Sequence, residues 1–145
     1  MTVRVKVSQG ASLPEFGSSD AAGADLRAFL PDQPVILASG GGRALIPTGL
    51  ILEIPQGYEG QVRPRSGLAA KYGLTVLNSP GTIDSDYRGE VKIILINHGS
   101  EDFVIHDGDR IAQLVIAPVI RSLFIPTTFT SSTQRGKGGF GSTGV

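Results

Sequence analysis

Apolar and polar residues alternate with a two-residue period in two segments, the pattern of a strand with one buried face. Val3, Val5 and Val7 alternate with Arg4 and Lys6, and Ala24, Leu26 and Ala28 with Asp25 and Arg27. Shorter apolar runs follow. Residues 43–55 hold two of them around Pro47 and Gly49, residues 61–64 read as a strand end, and 74–77 and 111–119 read as strands. Thr82 and Ile83 on one side and residues 90–97 on the other read as hairpin arms around 84–89, and 124–129 as a last strand. Between these lie breakers: Pro31, Pro34, the glycines at 40–42, NSPG at 78–81 and HDGD at 106–109. One helix of one or two turns is predicted over 66–73, with Ser66 at the N-cap and Gly73 closing the C-terminal side. Short strands at a spacing of about 8–12 residues, with almost no helix, favour a sandwich, barrel or jelly roll.

Composition narrows the chemistry. The 145 residues are enough for one domain with a real core, and the apolar fraction of 40% is that of a folded chain. Lys+Arg and Asp+Glu are both 13, so no broad basic footprint for nucleic acid exists, although a small anion needs only local charge. The chain has no cysteine, which excludes disulfides and thiolate metal sites. The first residues, MTVRVKVSQG, read as strand rather than leader, and no run approaches the roughly 20 apolar residues of a membrane span. The expectation is a cytoplasmic protein with no membrane partner. Its core domain covers 1–129, and a flexible glycine-rich tail covers 130–145.

Five segments carry candidate chemistry. In AGADLRA (22–28), Asp25 stands in an apolar strand and needs a partner; an ion pair with an arginine is the plain explanation. In PRSGLA (64–69), Arg65, the Ser66 hydroxyl and the free N–H groups of a helix start suit phosphate, or simply form a capped helix. NSPGTIDSDYRGEV (78–91) offers an amide, carboxylates and a tyrosine, either as a nucleoside pocket or as a polar loop. In GDRIAQLV (108–115), Gln113 interrupts an apolar run and would be satisfied by backbone. RGKGGFGSTG (135–144) lets backbone N–H groups approach an anion, with Arg135 and Lys137 for charge and Phe140 as a stacking face. By itself the segment reads first as a flexible, solvated tail. It is neither a Rossmann turn, because no helix and strand follow, nor a Walker A loop. His98 and His106 have no partners at metal-ligand spacing.

In this order and spacing, the five segments resemble the five motifs of the trimeric dUTPase family, from Ala22 to Gly144. The resemblance implies an all-β, distorted jelly-roll-like (β-clip) subunit with one short helix, forming a homotrimer whose three active sites are each built from all three chains. It implies hydrolysis of dUTP to dUMP and pyrophosphate, which keeps uracil out of DNA and supplies dUMP for dTMP synthesis. On this resemblance Asp84 activates the attacking water. Asn78 and the backbone at Ile83 read uracil, and Tyr87 packs on the deoxyribose and excludes a 2′-hydroxyl. Arg65, Ser66, Gly67 and Gln113 hold the phosphates. Asp25 contacts the waters of a Mg²⁺ ion carried mainly by the triphosphate. Arg135 reaches the γ-phosphate, Phe140 stacks on uracil as the tail closes, and Gly141 and Ser142 donate to phosphate. Many relatives carry an acidic residue where residues 129–134 are hydroxyl-rich, and Lys137 lies at a variable position.

Three rivals differ at named positions. A dCTP deaminase of the same fold, or its bifunctional relative, needs a proton-shuttling glutamate near the base and an arginine-containing continuation where Gly67, Leu68 and Ala69 stand. A non-catalytic nucleotide binder would have lost Asp84, Gln113 or the tail, and all are present. A capsid-like jelly roll leaves the glycine tail without a purpose.

Overall fold

The structure, a computed structural model, describes residues 1–139. The elements in chain order are β1 (Arg4–Val7), β2 (Glu15–Phe16), β3 (Ala24–Arg27), β4 (Val35–Leu37), β5 (Gly42–Pro47), β6 (Leu50–Glu53), β7 (Tyr58–Arg63), α1 (Ser66–Tyr72), β8 (Leu74–Val76), β9 (Gly81–Ile83), β10 (Lys92–Asn97), β11 (Phe103–Ile105) and β12 (Arg110–Pro118). The class is all-β with one short helix. Five strands form the largest sheet in the order β2-β3-β12-β7-β9. The others are β5-β10-β8, β1-β6 and β11-β4, and the pairings are antiparallel. No helix among the described residues is long and apolar enough to cross a membrane.

Alternation decides what each strand buries. In β3, Ala24 and Leu26 enter the core, while Asp25 and Arg27 stay half-buried on the other face. Leu26, Ile46, Leu50, Leu52, Leu74, Ile93, Leu95 and Ile105 are among the side chains that fill the space between the sheets. Burying each such side chain stabilises the fold by roughly 1.5–3 kcal/mol. Asn97 is fully buried among them and fully used. Its Nδ2 donates to Leu37 O at 3.0 Å and to Glu101 O at 2.8 Å, and its Oδ1 accepts from Gly99 N at 2.9 Å.

Three expectations are corrected. The helix starts at Ser66, with Arg65 as its N-cap, because Arg65 O accepts the first intrahelical bond from Ala69 N at 3.0 Å. Ser66 is therefore not the cap, and no side-chain cap bond is made. Gly73 does close the helix, at φ 69° in the left-handed region. The hairpin around 84–89 does not form: β9 pairs with β7, while β10 pairs with β5 and β8, so the two arms belong to different sheets. No strand forms over 124–129, where among the described residues no strand pairs with this segment and Pro126 lacks a donor. Among the described residues the last regular one is Pro118, and residues 119–137 are exposed.

Candidate functional site

Antiparallel register brings the first, second and fourth motifs to one end of the large sheet. Gln113 of β12 lies between Asp25 of β3 and Arg63 of β7. Arg63 is followed by Pro64 and Arg65, which lead into α1. The Arg65 Nε donates to Asp25 Oδ1 at 3.0 Å, and Arg110 Nη1 approaches Asp25 Oδ2 at 3.4 Å. Arg65 Nη1 also donates to Arg110 O at 3.1 Å. The Asp25 side chain is only 19% exposed, which strengthens these charge-assisted bonds. Two guanidiniums share one carboxylate, so this group carries one surplus positive charge, an arrangement suited to an anion. Gln113 Nε2 donates to Pro64 O at 2.9 Å, the backbone partner expected for it. Ser66 and Gly67 lie exposed beside this cluster in the first turn of α1.

Part of the third motif forms a different place. A pocket of about 410 Å³ opens between β9 and the start of β10, and its walls include Asn78, Ile83, Asp84 and Tyr87. The arms of the expected hairpin splay around this space rather than pairing. β9 is the outer strand of its sheet, so its far side has no ladder partner and presents backbone N–H and C=O groups. Asp84 follows directly, exposed, on a loop that holds itself in shape. Arg88 Nη1 donates to Ser85 O at 2.7 Å and to Tyr87 O at 2.9 Å, and Tyr87 N donates to Asp84 O at 3.1 Å. Asp84 also borders a wider cleft of about 1130 Å³, whose Arg4 and Glu53 neutralise each other in a 2.9 Å pair. There the Arg4 hydrogen bonds and charge hold the Glu53 carboxyl below its ordinary range. The smaller pocket is the better candidate for a ligand, because it has an edge strand, an amide and an apolar floor.

The pocket runs along β9 as far as Gly81, opposite Val62, but Asp84 itself is set apart from the charged cluster within one chain. Ile83 lies opposite Gly60, so Asp84 comes level with Glu59 near the start of β7, while the charged cluster follows Arg63 at its other end. Glu59 to Arg63 alone spans about 13 Å at the rise of a strand. Arg135 joins neither group: its Nε donates at 2.9 Å to Gly138 O within its own exposed turn. Phe140, Gly141 and Ser142 lie outside the described residues. Sequence reasoning passed over Arg110, Arg88 and Gly89 as functional positions. All three were inside the motifs, but only the three-dimensional contacts reveal what they hold. Among the described residues, no group of three or more His, Cys, Asp or Glu is placed to hold a metal ion.

Similarity to known proteins covers both places at once. The dUTPase family model matches residues 9–144. The deoxyuridine 5′-triphosphate nucleotidohydrolase of Mesorhizobium japonicum is 60% identical over 143 residues, covering 99% of this chain and 89% of the relative. That of Rhizobium etli (strain CIAT 652) is 58% identical over 143 residues, covering 99% and 92%. Among solved structures, the dUTPase of Staphylococcus bacteriophage 80alpha with dUpNHpp superposes with a TM-score of 0.86 at 29% identity over 99% of both chains. A dUTPase from phage phi11 of S. aureus, solved with a structural Mg(II) ion, gives 0.77 at 25% identity over 91% of this chain and 100% of that one. A match that runs through all five motifs, with relatives identical at more than half of their aligned positions, places the chain in the dUTPase family of dUTP-hydrolysing enzymes.

Proposed function

We propose that the chain hydrolyses dUTP to dUMP and pyrophosphate at sites shared between the subunits of a homotrimer. The observation that carries this reading is the separation of the charged cluster from the Asp84 carboxylate, at opposite ends of β7. Neither end suffices alone, and a closed ring of copies brings one chain's pocket against another's cluster. Residues 119–129 support the same reading. They expose Ile120, Leu123, Phe124, Ile125 and Phe129, apolar surface that a monomer in water rarely shows in one stretch.

In this reading the 410 Å³ pocket takes the nucleoside, within the usual range of roughly 300–1,000 Å³ for small-ligand sites. Asn78 and the free edge of β9 at Ile83 pair with uracil. Cytosine would leave these groups unpaired, and the thymine methyl would meet the backbone. Tyr87 lies against the deoxyribose. Arg65, Ser66, Gly67 and Gln113 bind phosphate oxygens, where charge develops during attack. Asp84 takes a proton from the water that attacks the α-phosphorus in line. Asp25 fits a Mg²⁺ ion held mainly by the triphosphate, because its two arginine contacts leave lone pairs for water ligands. When bound, the ion would neutralise charge on the phosphate oxygens. The tail closes as a lid, with Arg135 toward the γ-phosphate, Phe140 on uracil, and Gly141 and Ser142 donating to phosphate.

Pyrophosphate release from dUTP, UTP, dCTP and dTTP, with Mg²⁺ and with EDTA, tests the reaction. Release from dUTP alone, abolished by EDTA, is expected. Release from none of the four would leave a nucleotide-binding protein, and ammonia from dCTP would make it a deaminase.

A further inference from the structure

Tyr87 is seated on its own loop. Its hydroxyl donates to Glu90 O at 3.1 Å, so the ring reaches across the backbone of the residues between. Gly89 lies directly beneath it. A Cβ built on Gly89 would stand 2.9 Å from Tyr87 Cε2, and closer still to Cζ and Oη. Gly89 is not among the glycines with positive φ, so its backbone conformation is open to any residue. The ring, rather than the backbone, is what requires a glycine there. Tyr87 itself remains 46% exposed and borders the pocket beside Asp84 and Ile83.

We infer that Gly89 is a specificity-determining position that acts through Tyr87: by having no side chain, it seats the ring that excludes a 2′-hydroxyl. This rests on the reading of Tyr87 as the wall against the deoxyribose. A methyl group at position 89 lifts the ring from its seat and breaks the bond to Glu90 O. A lifted ring has no fixed position, so it yields to a ribose and also crowds a deoxyribose. Selectivity falls mainly through a change in the wall, with Asp84 and the distant phosphate cluster untouched.

The test is a double-variant cycle read as the ratio of kcat/KM for dUTP to that for UTP. Gly89→Ala is expected to lower the ratio about tenfold, the effect of a loosened steric contact. In the Tyr87→Ala background the same change should have no further effect, because the ring is already gone. An unchanged ratio in Gly89→Ala, or a further loss in the double variant, would overturn the inference. Tyr87→Ala alone separates this from its premise: if that variant keeps wild-type selectivity, the sugar-wall reading falls and takes the inference with it. Should Gly89→Ala fail to fold, Tyr87→Phe carries the test. It removes only the bond to Glu90 O and should lower the ratio about threefold, the worth of one neutral hydrogen bond; no change there would overturn the seated ring.

Discussion

The two ends of the large sheet are built on different principles. At one end, side chains from β3, β12 and the segment after β7 bond to one another: Arg65 and Arg110 to Asp25, Arg65 to Arg110 O, and Gln113 to Pro64 O. At the other, the loop with Asp84 is fastened mainly to itself, by Arg88 to Ser85 O and Tyr87 O and by Tyr87 to Glu90 O. The first end fixes charge and the second fixes shape. A surplus charge attracts any triphosphate, whereas a shaped pocket tells one nucleoside from another. Changes at the charged end should therefore alter the rate for every nucleotide alike. Changes at the shaped end should alter the ratio between nucleotides, except at Asp84, which does chemistry.

The largest expected effect tests whether the two ends cooperate across chains. Asp84→Asn should retain nucleotide binding and lose about 10²–10⁴-fold in turnover, the usual worth of a general base. Arg65→Ala should also be nearly inactive, by loss of phosphate binding. Refolding the two variants together in equal amounts should then restore about a quarter of wild-type activity, because intact ends from different chains meet at random in a symmetric ring. If both ends served the same chain, every site would carry one defect and nothing would return. Recovery near zero, with trimers verified by light scattering, would sink the shared site.

A smaller effect is expected at Asp25. Asp25→Ala takes the acceptor from Arg65 and leaves two guanidiniums facing each other without a counter-charge. Losing one or two charge-assisted bonds should lower kcat/KM about tenfold to a hundredfold, equally for dUTP and UTP. A loss confined to one nucleotide would break the division between charge and shape. Sequence reasoning reached this residue because one polar group in an alternating strand demands a partner, and Ala24 and Leu26 set the face on which Asp25 stands. It also located most strands longer than three residues. It missed β2, β4 and β11, each only two or three residues long, which is too short for a period to register. It misassigned β9 and residues 124–129, because pairing partners depend on long-range packing rather than on local pattern. The opening between β9 and β10 is the result of that pairing, so the pocket was legible as a set of residues but not as a shape.

The smallest effect is expected from Gly23, at the edge of the charged end. A Cβ on Gly23 would overlap Gln113 Oε1 and stand 3.0 Å from its Cδ. Gly23 has no positive φ that would penalise alanine, and Gly→Ala at a permissive position stabilises a fold by about 0.4–1 kcal/mol. Gly23→Ala should therefore keep the fold, its backbone gain offset by the lost bond of about 0.5–1.5 kcal/mol as Gln113 turns away from Pro64 O. The loss of one neutral bonding position should raise KM for dUTP and UTP by about twofold to tenfold, with kcat little changed. A thermal melt with steady-state kinetics decides the matter. Unchanged KM would mean that Gln113 does not touch the phosphates, and a changed dUTP-to-UTP ratio would mean that the charged end reads the sugar after all.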